Sequence, residues 1–130
     1  MKTSKNTAGI APDYAAAFDG LKALLQAYSH RFKVTADDQD HYCLEVPFSP
    51  KLKKGFPVAW VRISKAYVSY HFMPVYMFPK LREQMSDRLK ARMQGKSCFN
   101  FQNFDEPLFR ELGHVTEKGL EMSREAGFGG

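Results

Sequence analysis

A few side chains in this chain are of types that do chemistry. Cys43, His71 and Cys98 are all of metal-ligand type. Zinc sites bring such residues together at paired short spacings, and these three are widely separated, so neither a metal nor any other cofactor is expected. Cys98 with His71 as its base would make a nucleophile, but that needs side-chain contact and an oxyanion donor, which spacing does not supply. No catalytic residue is therefore assigned, and a non-enzymatic role is expected. Trp60 and Tyr67, with Arg31, Lys33 and Arg62, could stack on and neutralise an anionic planar ligand or a single nucleic-acid strand. Asp37, Asp38 and Asp40 form the sole carboxylate cluster, and a solvated turn accounts for it, because Asp is a good turn residue.

The elements that must position these groups centre on Phe56 to Met73, FPVAWVRISKAYVSYHFM, two runs rich in Val, Ile, Tyr, Trp and Phe. Each is too short for a long helix, so a β-hairpin is predicted. A Ser64-Lys65 loop sets Ile63 opposite Ala66, Val61 opposite Val68 and Ala59 opposite Tyr70, and turns the apolar members to one face. By the same alternation the other face carries Trp60, Arg62, Tyr67, Ser69, His71, Cys98 and Asn100, which are the candidate ligand-binding residues. Arg31, Lys33, Cys43 and Glu45 are expected beside them.

Length and composition bound the rest. At 130 residues the chain is expected to be one domain, with 11 Phe, 6 Tyr and 1 Trp to supply a core without disulfide or metal staples. Two cysteines fit free thiols in a reducing compartment. No apolar run is long enough to span a bilayer, and MKTSKNTAG lacks the apolar stretch of a secretory signal, so a cytoplasmic protein with no membrane partner is expected. The 19 basic against 14 acidic residues give a net charge of +5. That is a modest bias towards anionic partners, of a size that also serves solubility, so nucleic acid is not favoured.

Residues 1–10 are polar and unpatterned and read as a flexible tail. Tyr14, Phe18, Leu21, Leu25 and Tyr28 make the stripe of an amphipathic helix behind Pro12. Phe32 and Val34, then Tyr42, Leu44 and Val46, alternate with polar residues as a first hairpin whose tip is the acidic run. Prolines and Gly55 make Phe48 to Phe56 a loop with solvated Lys51, Lys53 and Lys54. Met77, Leu81, Met85, Leu89 and Met93 step by fours, with Gly95 as a stop, predicting one basic second helix. Phe99 and Phe101 mark a short strand. Asp105 caps a last helix with Leu108, Leu112, Val115 and Met122 on its stripe, and residues 127–130 read as a second flexible tail. The order is helix, four strands, helix, strand, helix. It predicts one α+β domain over residues 11–126, an antiparallel sheet of four to five strands with its helices on one face. The expected core includes Phe18, Leu21, Leu25, Leu44, Val61, Val68, Tyr70, Leu81, Leu89, Phe99, Phe101, Leu112 and Val115.

From the central hairpin onward the text resembles a known family. Tyr70-His71-Phe72-Met73-Pro74, a basic amphipathic helix, Gly95-Lys96-Ser97, an aromatic strand and Asp105-Glu106-Pro107-Leu108 are similar, over roughly residues 56–122, to the YdhG-like family of small domains of unknown function. That family is associated with a frataxin-like fold, and one member is described as a frataxin-like iron chaperone. The resemblance implies the same α+β architecture and, as one alternative, iron handling. Frataxins hold iron through clustered carboxylates on a helix and strand edge. Here the first helix offers only Asp13 and Asp19, so no iron ligand carries over. The expected function is a binding module whose open sheet face takes a partner protein or small anionic ligand. Iron handling and single-stranded nucleic-acid binding are the alternatives.

Overall fold

The computed structural model describes residues 12–130; the N-terminal tail expected over residues 1–10 lies outside the described residues. Asp13 caps the first helix, α1 (Tyr14–Gln26), by accepting from the Ala16 N–H at 3.0 Å. The stripe Phe18, Leu21 and Leu25 is buried as the periodicity predicts. A 3-10 turn (Ser29–Arg31) leads into β1 (Lys33–Asp37), β2 (His41–Ser49), β3 (Lys54–Ile63) and β4 (Val68–Phe72). Three short helices follow, α2 (Met73–Met77), α3 (Pro79–Glu83) and α4 (Asp87–Lys90), then β5 (Met93–Gln94), β6 (Cys98–Phe101) and the long α5 (Glu106–Glu125).

The class is α+β. Six strands form one open sheet in the order β1-β2-β3-β4-β6-β5 with every neighbouring pair antiparallel. That is one strand more than the upper expectation, because Met93 and Gln94 pair with Phe99 and Cys98 instead of ending a helix. Gly95, expected as a helix stop, sits at φ +79 in the turn of this small hairpin. Only glycine adopts that conformation without strain.

The single second helix of the sequence reading is broken twice, each time for a local reason. Pro79 bars the α conformation at Phe78, which lies at φ −128, ψ 89. Ser86, extended at φ −65, ψ 158, starts a new helix by accepting from the Leu89 N–H at 3.1 Å. The middle of the stripe nevertheless keeps its burial: Leu81, Met85 and Leu89 are in the core, while Met77 and Met93 are only partly buried.

The central hairpin closes with Ser64 and Tyr67 as its last pair, the Ser64 N–H donating to the Tyr67 carbonyl at 2.8 Å, so the loop is Lys65-Ala66. Ile63 therefore lies opposite Val68, Val61 opposite Tyr70 and Ala59 opposite Phe72. The register differs from the expected one by two residues. An even shift leaves every side chain on its face, which is why the predicted inward set, Val61, Val68, Tyr70, Phe99 and Phe101, is buried at 1% exposure or less.

The stretch expected as a loop over Phe48 to Phe56 is the end of β2 and the start of β3, joined by a tight turn over Pro50 to Lys53. Pro47 lies beyond the last β1 partner, and Pro57 beyond the last β4 partner, so neither removes a donor from a doubly paired strand. Gly55 is required here by close approach: a Cβ would lie 2.6 Å from the Pro47 carbonyl oxygen.

The helices cover one face. α1 packs on β3 and β4, and α5 meets the sheet through Tyr70, Phe72 and Phe101. The buried stripe of α5 runs through Leu108, Phe109, Leu112, Thr116, Gly119, Leu120 and Ser123, whereas the expected Val115 and Met122 are only partly buried. The sheet explains this choice. The Tyr70 hydroxyl meets Thr116 Oγ1 at 2.7 Å, and a Cβ on Gly119 would lie 2.5 Å from the Phe72 ring. Residues 127–130, expected to leave the fold, lie against it. The Phe128 ring stands edge-on to Phe78, and Arg31 donates to the Gly130 carbonyl oxygen from Nη2 at 3.0 Å and from Nε at 3.3 Å.

Candidate functional site

The side chains on the face away from the helices are arranged in rows by the strand register. One row crosses four strands as Cys43, Trp60, His71 and Cys98, with Gln94 opposite Cys98 at the edge. The next row is His41, Arg62, Ser69 and Asn100. Six of the seven candidate residues thus lie in two adjacent rows, and Tyr67, two residues before Ser69 on the same face, is the seventh. Arg31 is not among their neighbours: it belongs to the 3-10 turn and is tied to Gly130.

The indole of Trp60 and the imidazole of His71 are stacked, with centroids 4.6 Å apart and planes 13° from parallel. That separation matches the spacing between neighbouring strands, so the rings stand upright on the sheet, side by side, and present their edges to solvent. Around His71 the polar groups are interlinked. Nε2 lies 3.2 Å from Ser69 Oγ and 3.7 Å from Cys98 Sγ. Cys98 Sγ is 3.4 Å from Asn100 Oδ1, and Asn100 Nδ2 donates to Gln94 Oε1 at 2.5 Å. Ser69 is buried beneath its neighbours, Trp60, His71, Cys98 and Asn100 are half-buried, and Arg62 is exposed.

Electrostatics in this network favour neutral groups. Burial lowers the pKa of His71 and raises that of Cys98. Burial thus disfavours a resting thiolate–imidazolium pair between Cys98 and His71. Cys43, in the same row as Cys98 but separated from it by Trp60 and His71, is buried, and desolvation raises its thiol as well. The three ligand-type side chains therefore do not converge, and among the described residues no group of three or more His, Cys, Asp or Glu is arranged to hold a metal ion. In the acidic tip, Asp37 is paired with Lys22 at 2.9 Å, a contact that ties the turn to α1.

Arg62 and His41 lie opposite each other and extend the polar end of the face. At the other end Tyr67 lines a shallow hollow with Arg92, Asn100 and Gln102. His41, Gln94 and Arg92 were missed as members or neighbours of this face. His41 is recoverable from parity once β2 is set against β3, since it lies two residues from Cys43. Gln94 and Arg92 carried no such signal, because the expected second helix ran through them. Comparison of the chain with protein-family models, with curated proteins and with solved structures finds no match.

Proposed function

We propose that this protein is a non-enzymatic binding module that takes a partner protein or a small anionic ligand on the face of the sheet away from its helices. The observation that carries this reading is the Trp60 and His71 stack beside the exposed Arg62 in two continuous side-chain rows. Such a face joins a rigid aromatic pair to a cation, the residue types that dominate binding energy at interfaces.

The upright stack also orders the alternatives. A single nucleic-acid strand needs open aromatic faces for its bases, and one face of the indole is already covered by His71. Iron handling, with membership of the YdhG-like family, rests on the resemblance of residues 56–122 alone and gains no carboxylate cluster from the outer face. A cytoplasmic location fits the free cysteines.

Affinity capture with the wild-type chain, read by mass spectrometry, followed by direct titration of the captured species, tests the proposal. Trp60→Ala and Arg62→Ala should each weaken that titration by about tenfold or more while the chain stays folded. Salt-sensitive binding of a single-stranded oligonucleotide at micromolar concentration, lost in both variants, would move the reading to nucleic acid.

A further inference from the structure

The hairpin that joins β2 to β3 projects beyond its neighbours. The pairing of β1 ends at Glu45, and that of β4 ends against Ala59, so residues 47–57 have no strand on either side. On this projection Phe48 is 57% and Leu52 42% exposed. Pro47, Pro50, Lys51, Lys53 and Lys54 are exposed around them. From Val46 to Arg82 the chain carries seven basic residues, Lys51, Lys53, Lys54, Arg62, Lys65, Lys80 and Arg82, and no acidic one.

This apex is well built. The Lys53 N–H donates to the Ser49 carbonyl at 2.7 Å, and the Leu52 N–H donates to Ser49 Oγ at 3.2 Å. Lys51 donates its N–H to the Gly127 carbonyl at 3.2 Å, and its ammonium lies 5.6 Å from the Phe128 ring. Lys53 holds φ +63, a left-handed conformation uncommon for a residue with a side chain. A single helical turn therefore displays Leu52 between two lysines, with Phe48 at its base.

We infer that the β2–β3 tip is a docking element for the surface of an anionic lipid bilayer. Exposed Phe48 and Leu52 enter the interface, while Lys51, Lys53 and Lys54 reach acidic headgroups with their aliphatic stems along the apolar layer. Neither term alone anchors a protein, and the tip supplies both. A projecting knob fits a surface that yields to it. Phe48 is the one exposed aromatic ring on the tip, beside the aliphatic Leu52, Pro47 and Pro50, and a strand of nucleic acid needs rings for successive bases, which favours lipid over nucleic acid. The contact is peripheral: no helix among the described residues is long and apolar enough to cross a membrane.

Co-sedimentation with vesicles tests this, using phosphatidylcholine alone and phosphatidylcholine mixed with phosphatidylserine. The full chain should bind the mixed vesicles and not the neutral ones. A surface lysine is worth about fivefold, so Lys51→Gln, Lys53→Gln and Lys54→Gln together should weaken binding by about a hundredfold. Phe48→Ser with Leu52→Ser should remove the binding that survives raised salt, and circular dichroism checks that both variants fold. Sedimentation with neither vesicle, equal sedimentation with both, or an unchanged lysine variant overturns the proposal. So does an oligonucleotide that binds more tightly than the mixed vesicles and is indifferent to Phe48 and Leu52.

Discussion

Tyr70 and Thr116 offer a perturbation whose sign, as well as size, follows from the direction of two hydrogen bonds. Both residues are fully buried. Thr116 Oγ1 donates to the Leu112 carbonyl at 2.8 Å, so in the 2.7 Å contact with Tyr70 the phenol is the donor. Thr116→Val deletes the acceptor and leaves a phenol O–H without a partner in the core, a loss of about 1 to 3 kcal/mol. Tyr70→Phe removes only the donor while Thr116 keeps its bond to Leu112, and should cost about 0.5 to 1.5 kcal/mol. With both substitutions no polar atom is stranded. The double variant should then be more stable than Thr116→Val alone, so that Tyr70→Phe stabilises in that background. Urea unfolding with a common m-value measures all four proteins. Burial holds the Tyr70 phenol above its ordinary pKa, so its ionisation does not enter at neutral pH. Simple addition of the two costs would falsify the donor assignment.

Three further outcomes are expected. Gly119→Ala should destabilise by about 1 to 3 kcal/mol through overpacking against Phe72 and Pro74, despite a helix-propensity gain of about 1 kcal/mol, and a raised melting temperature would contradict the packing described. Lys53→Gly should stabilise by about 1 kcal/mol, since φ +63 disfavours a side chain; a loss of stability would show that the turn carries no strain there. Because the folded-state pKa of His71 lies below its unfolded value of 6.5, the unfolded chain takes up the proton first as pH falls. His71 should therefore contribute a loss of stability that begins near that unfolded value and levels off below the folded one, and His71→Gln should flatten this part of the pH profile. Equal slopes in the two proteins would remove His71 as the cause.

Much of the architecture was legible because strand parity is robust. The central hairpin lies two residues from its expected register, yet Val61 and Tyr70 keep their inward places and Trp60 and His71 their outward ones, since only an odd slip exchanges faces. The second helix departs from expectation where periodicity and local chemistry conflict. Leu81, Met85 and Leu89 keep a helical spacing in the core, but Pro79 and the Ser86 cap break the backbone between them. On α5, Thr116 and Gly119 are buried for reasons that lie on β4, a hydroxyl for Tyr70 and space for Phe72, which no stripe within the helix could reveal. For the candidate face the residue types and parity were readable. The stacking of Trp60 on His71 and the removal of Arg31 to the C-terminal segment depend on register and tertiary contact, and were not.

If the outer sheet face is the binding surface, binding energy should be concentrated there and absent from the helical side. Tyr76 is an exposed aromatic on α2, away from that face, at 56% exposure. The affinity of the captured partner for Trp60→Ala and for Tyr76→Ala should be measured side by side, with both variants shown to unfold cooperatively. Trp60→Ala should lose about tenfold or more, roughly 1.4 kcal/mol, and Tyr76→Ala should keep its affinity unchanged. Full affinity in Trp60→Ala, or a larger loss in Tyr76→Ala, would contradict the outer face as the binding surface.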